Sequence, residues 1–150
     1  MRMAILALMG ASVFGSGARA TETDGLLGTW LTENGDSKIR ISACGRSYCG
    51  TVVWAKSNIL DSHNPDPSLR KRSVVGMPLT RDMRPSGAGS WAGSIYNPEN
   101  GKTYEITMLS KGSDKLEVEG CVLGVLCGSD LWSRLLEETA NADSAARPSH

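Results

Sequence analysis

Apolar and polar residues alternate with a period of two along most of the chain between Leu27 and Leu135, and turn-forming clusters interrupt the alternation at short intervals. No other feature constrains the fold as much. Successive side chains of a strand point to opposite faces, whereas a helix needs a period near 3.6. Eight runs read as strands: Leu27–Glu33, Lys38–Cys44, Cys49–Lys56, Val74–Thr80, Ser90–Tyr96, Thr103–Ser110, Leu116–Cys121 and Gly128–Leu135. The breakers between them, "NGD", "GRSY", "RPSGAGS", "NPENGK" and "KGSDK", are built from Gly, Asn, Asp, Ser and Pro, the residues that turns require. Short strands joined mostly by hairpins predict an all-β sandwich or barrel. One connection is long, Ser57–Ser73, and its two prolines and missing apolar period predict a structured loop.

Hairpin register sharpens the expectation. Setting Cys44 opposite Cys49 across a four-residue turn places Ala43 opposite Gly50, Ile41 opposite Val52 and Ile39 opposite Trp54, all apolar or glycine. Lys38, Arg40, Ser42 and Thr51 then share the other face, which a one-residue slip would exchange with the first. In "WAGSIYNPENGKTYEITM" the same exercise pairs Ile95 with Tyr104, Gly93 with Ile106 and Trp91 with Met108. An antiparallel sheet with one apolar face must bury it. Closing eight strands into an up-and-down barrel does so without leaving edges, and the interior is then either filled by side chains or able to hold one small ligand. Strands of about seven residues rise roughly 23 Å, so a tilted barrel would be only about 18 Å tall and any cavity small.

The chain ends bear on compartment. "MR", the apolar run Met3–Phe14 and the small-x-small site Ala18–Ala20 have the layout of a secretory signal peptide over 1–20, cleaved after Ala20. The apolar run is too short to span a bilayer, and no other stretch is a candidate span. The expected mature protein is a short lead over 21–25, one barrel domain over 26–136 and a polar, disordered tail over 137–150. Losing Arg2 and Arg19 with the leader changes the formal charge from zero to −2, fourteen cations against sixteen anions. That balance does not call for nucleic acid or an anionic membrane, and the "RKR" cluster Arg70–Arg72 reads as a solvated loop face. A periplasmic or secreted location makes the four cysteines a disulfide framework. Neither pair has the C-x-x-C redox spacing, and only His63 and His150 exist as histidine partners for zinc. Four cysteines allow three connectivities; Cys44–Cys49 and Cys121–Cys127 are favoured because each pair brackets a short turn.

The combination "LLGTW" (Leu26–Trp30), "CGRSYCGTVVW", "DSHNPDPSLRKR", "SIYNPENGKTYE" and "GCVLGVLCGSDLWSRL" resembles the bacterial exported proteins grouped as domain of unknown function 2147. The resemblance runs from Leu26 to Leu135. It implies a lipocalin-like (calycin-like) eight-stranded barrel and no established activity. "GTW" and "WSR" are also similar to the lipocalin pattern in which a Trp of the first strand packs against an Arg of the last. Carried over, this makes Trp30 and Arg134 a lock at one barrel end. The chain is shorter than typical lipocalins and lacks their recognisable C-terminal helix.

Candidate sites follow from these faces. Trp54, Trp91, Tyr104, Met108 and Trp132 are placed inside, either lining a pocket for a small apolar or amphipathic molecule or simply filling the barrel. With Cys121 opposite Cys127, Asp130 and Arg134 lie on the side of Leu116, Val118 and Trp132. An interior carboxylate needs a partner, and Arg134, four residues on, is about 13 Å away. Asp130 then meets another polar group, a water or a ligand head, unless a bulge turns it outward; both readings stay open. In the long loop, Asp61, His63, Asn64 and Asp66 lie close together with Arg70 nearby, but they lack calcium-loop spacing. Asx turns before proline account for them, and the loop is the candidate cap of the barrel mouth.

Two functional classes fit. One is an exported module binding a small hydrophobic or amphipathic ligand. The other is a structural or interaction protein with a filled barrel, working through the 57–73 loop or an outer face, as in a homodimer. A weak hydrolase using Asp61 and His63 is a distant third, since no nucleophile elbow, phosphate loop or metal motif accompanies them. The expectation is therefore no enzyme, no catalytic residue, no metal and no cofactor.

Overall fold

The structure, a computed structural model, describes residues 25–122 and 126–136. The expected leader over 1–20, all but the last residue of the 21–25 lead, and the 137–150 tail lie outside them. Eight strands close into an antiparallel up-and-down barrel in which each strand pairs with its sequence neighbour and the first with the last. They are β1 Gly28–Leu31, β2 Ser37–Cys44, β3 Ser47–Ala55, β4 Pro78–Gly87, β5 Ser90–Asn97, β6 Lys102–Ser110, β7 Lys115–Val122 and β8 Leu126–Leu135. The barrel is sealed by β1 against β8, with Trp30 opposite Arg134. No helix among the described residues is long and apolar enough to cross a membrane.

The β5–β6 hairpin has the register expected from its alternation: Trp91 faces Met108, Gly93 faces Ile106 and Ile95 faces Tyr104. Cys121 likewise faces Cys127, so Asp130 pairs with Val118 and Trp132 with Leu116. The outward-turning bulge is thereby removed from consideration. Both cysteine bridges form as the local pairing predicts, Cys44–Cys49 and Cys121–Cys127.

Three sequence expectations are corrected. The β2–β3 turn is two residues, with Cys44 opposite Ser47, so Ile39 meets Val52 and Ile41 meets Gly50. Gly45 supplies the positive φ, 66°, that a tight two-residue hairpin needs at its first position. Because the ladder moves by an even number of residues, the inward face of Ile39, Ile41 and Val52 is preserved. Trp54 is not so fortunate. A bulge between Lys38 and Ile39 pairs it with Lys38 instead of Ile39. There the Lys38 Nζ lies 4.9 Å from the centre of its half-buried ring, at the root of the long loop and outside the barrel core. Finally, β4 begins at Pro78 rather than Val74. Val74–Met77 makes a turn whose ends hydrogen-bond Val52: Val52 N donates to Met77 O and Gly76 N to Val52 O. The run "VVGMPLT" imitates a strand because both Val74 and Met77 are buried. The segment read as the "RPSGAGS" turn mostly continues β4, which carries bulges at Arg81/Arg84 and Pro85/Gly87, the kind of site where a sheet accepts proline.

The up-and-down path sorts the connections between two ends. The turns after β2, β4 and β6 gather at one end with the start of β1. The turns after β1, β5 and β7 gather at the other with the long β3–β4 connection. The two disulfides therefore sit at opposite rims.

Candidate functional site

The two ends differ in what their inward side chains can fill. Towards the β1 start, Trp30, Trp91, Met83, Met108, Leu116 and Leu26 are all essentially inaccessible, which leaves no room for a ligand. Here Trp30 donates its indole N–H to Leu26 O at 3.0 Å. The Arg134 guanidinium lies 4.2 Å from the centre of the Trp30 ring, a stacked cation–π arrangement. It donates Nη2 to Gly25 O at 2.7 Å, Nε to Ser113 O at 2.8 Å and Nη1 to Leu27 O. Burial pushes the guanidinium below its ordinary pKa, and it remains a cation. Gly28 of "GTW" has φ 127°, a conformation L side chains rarely adopt, and a Cβ there would lie 2.6 Å from Nη1, so backbone and guanidinium together favour glycine. The lock implied by resemblance is thus present in geometry, and this end is closed.

At the opposite end the inward positions of β5 to β8 carry smaller groups. An open recess of about 420 Å³ is walled by Ile95, Tyr104, Ile106 and Val118, with Gly120 and Gly128 where larger residues would fill it. A second, of about 370 Å³, is bounded by the β1–β2 turn, Val52, the loop residues Ile59 and Val74, and Trp132. Ile95, Asn97, Tyr104 and Asp130 belong to both, so the two recesses are adjoining halves of one cup. Asp130 accepts a hydrogen bond from Trp132 Nε1 at 2.7 Å. Of the large residues placed inside from sequence, Tyr104 and Trp132 border the cup. Trp91 and Met108 belong to the filled half, and Trp54 to neither. The choice between a hollow and a filled barrel dissolves: one half is filled and the other is open.

The long loop overhangs the cup, and its anchor is Asp61. This side chain is fully buried and takes three donors: Tyr96 Oη at 2.6 Å, Asn64 Nδ2 at 2.7 Å, and Arg72 through Nη2 at 2.9 Å and Nε at 3.1 Å. Burial by itself would raise the Asp61 pKa, but the bonds from Tyr96, Asn64 and Arg72, with the Arg72 charge, hold it below its ordinary value. Burial and then the Asp61 bond raise the Tyr96 phenol. The Asx-turn reading holds for the neighbours: Asn64 Oδ1 accepts from Asp66 N, and Asp66 Oδ1 caps the 3-10 turn Pro67–Leu69 through Ser68 N. The Ser68 hydroxyl and then the Ser68 N–H, both donating to Oδ1, hold the Asp66 carboxyl below its usual range. "RKR" is not one solvated face, because Arg72 pairs with Asp61 and Arg70 donates to Asn64 O. His63 is exposed, its ring within 3.5 Å of Ser62 Oγ, and it makes no hydrogen bond to Asp61. A Cβ at Gly101 would overlap the His63 carbonyl, so the loop lies directly on the β5–β6 turn.

Sequence reading named Asp61 and Asn64 as loop residues but missed their partners Tyr96 and Arg72. Tyr96 stood in plain view at the alternate position to Ile95, but nothing local links it to a residue 35 positions earlier.

The sequence profile of a family described as "Uncharacterized protein conserved in bacteria (DUF2147)" matches residues 28–134. A solved structure titled "Protein HP1028 from the human pathogen Helicobacter pylori belongs to the lipocalin family" is similar to this chain, with a TM-score of 0.71 and 23% identity. The match covers 83% of this chain and 92% of that one. At that identity the likeness is one of fold: a lipocalin-like barrel. No protein of curated function matches the sequence.

Proposed function

This chain belongs to the DUF2147 family, and we propose that it is a binding module taking one small apolar or amphipathic molecule into the open half of its barrel. The observation that carries the reading is the 420 Å³ recess on the inner side of β5–β8, with Ile95, Tyr104, Ile106 and Val118 as walls and Asp130 as a polar handle. Small-ligand sites have this composition, mostly apolar with few polar groups. The lipocalin-like fold is compatible with it. Binding without catalysis is part of the proposal: Asp61 is buried against Tyr96, Asn64 and Arg72 and makes no hydrogen bond to the exposed His63. So is export through the expected leader, since two disulfides suit an oxidising compartment.

The test is saturable binding of a neutral apolar fluorophore, N-phenyl-1-naphthylamine, by the mature protein and by Gly128→Phe. A Cβ at Gly128 meets nothing within 4 Å and the position lines the recess, so the new ring is expected to occupy that space. We expect one site in the native protein and its loss in the variant with an unchanged melting temperature. Equal binding by both, or none by the native protein, would overturn the reading.

A further inference from the structure

Resting on that reading, we propose that the head of the ligand is a cation, a protonated amine seated against Asp130, and that the apolar recess takes its hydrocarbon body. Among the described residues that line the two recesses, those with a formal charge are Asp36, Glu99 and Asp130; no Lys or Arg is among them. Asp130 is the one placed on the barrel's inner face, opposite Val118. Its Oδ2 accepts from Trp132 Nε1, while Oδ1 has no hydrogen-bond partner among the described residues. A half-buried carboxylate beside Ile106 and Val118 gains most from a donor that also carries positive charge.

The aromatic neighbours point the same way. Tyr104 borders the cup next to Asp130 with a half-buried ring, and the face of a phenol ring attracts ammonium groups; Trp132 is buried and acts by holding the carboxylate through its indole N–H. Tyr104 Oη already accepts from Asn100 Nδ2 at 2.7 Å. The guanidiniums that an anionic head would seek are engaged elsewhere: Arg72 with Asp61 in the loop, and Arg134 at the closed end. A fatty-acid carboxylate entering the cup would face three like charges and no compensating cation, and such juxtaposition is a means of rejection. A bare metal ion is a poor occupant too, because no three His, Cys, Asp or Glu side chains converge among the described residues.

The experiment uses the mature protein and three probes of equal chain length, decylamine, decanol and decanoate, each competed against N-phenyl-1-naphthylamine. Decylamine should displace the fluorophore at a concentration at least about tenfold below decanoate, with decanol between them. Added salt should narrow the gap, since part of the cup is open to solvent. Asp130→Asn keeps an oxygen to accept from Trp132 and removes the charge, so in the variant decylamine should lose its advantage over decanol and decanoate. Decanoate binding as well as decylamine would overturn the charge inference while leaving the cup as a binding site. An amine preference that survives in Asp130→Asn would remove Asp130 as its seat. Displacement by none of the three, with the fluorophore still bound, would overturn this inference and leave the cup as a binding site; failure of the fluorophore itself to bind would overturn the binding function.

Discussion

The two ends of one barrel use the same alternating strands for opposite purposes. At the closed end the inward positions hold tryptophan, methionine and leucine, and a guanidinium stacked on Trp30 bonds three backbone carbonyls. At the open end they hold isoleucine, valine, glycine and a carboxylate, and a loop is hung across them by a buried Asp61. Side-chain volume along a strand, not strand geometry, decides which end is solid. Stability and binding should therefore separate by end.

The largest effect is expected at the closed end. Trp30→Ala removes a fully buried indole and should cost about 4 kcal/mol in urea unfolding, while the folded fraction keeps its affinity for N-phenyl-1-naphthylamine. Weakened binding at constant folded fraction would break the separation. Next comes the loop anchor. Asp61→Asn leaves Arg72 without its anion and should cost about 3 kcal/mol, with proteolytic cleavage appearing within 57–73. The native contribution of Asp61 is present above the ordinary carboxylate range and is lost as pH falls through its lowered folded pKa. The acid limb of a stability–pH profile should accordingly shrink in the variant, and an unchanged limb would assign acid unfolding to other groups.

The disulfides give a matched pair of probes, one at each rim. Each closes a short loop, and chain entropy assigns each about 2 kcal/mol. Replacing Cys121 and Cys127 by serine should lower stability by that amount and also weaken fluorophore binding, because that bridge holds together the strand ends that carry Gly120 and Gly128 in the cup wall. Replacing Cys44 and Cys49 should lower stability equally and leave binding alone. Similar binding losses from both pairs would mean that the rims are mechanically coupled. The smallest stability change is expected for Tyr104→Leu, about 1 kcal/mol or less for a half-buried ring at the mouth. In a displacement assay with decylamine it should nonetheless reduce affinity, through loss of an aromatic face.

Much of this was legible in the chain. The β5–β6 ladder and the local pairing of both disulfides follow from alternation and turn spacing, which are local properties; the sequence left Asp130 facing either way, and the β7–β8 register turned it inward. Trp54 was misplaced because a single bulge reverses a face and leaves no mark in the pattern. Val74 and Met77 read as strand residues because a buried turn and a buried strand require the same side chains. Asp61 was recognised as a loop residue, but the turn chemistry of "DSHNPD" explained Asn64 and Asp66 and concealed the buried ion pair with Arg72.

The sequence by itself determined most of the strands and their hairpin order and favoured the two sulfur bridges, because these depend on neighbours a few residues apart; closure joins β1 to β8 across the length of the domain and follows only from the need to bury a shared apolar face. Only the tertiary structure decided which end is solid, which side chains border the cup and what pins the loop above it. Those depend on volumes and charges brought together from distant strands, and a pattern of alternation records the direction a side chain takes but not the company it finds there.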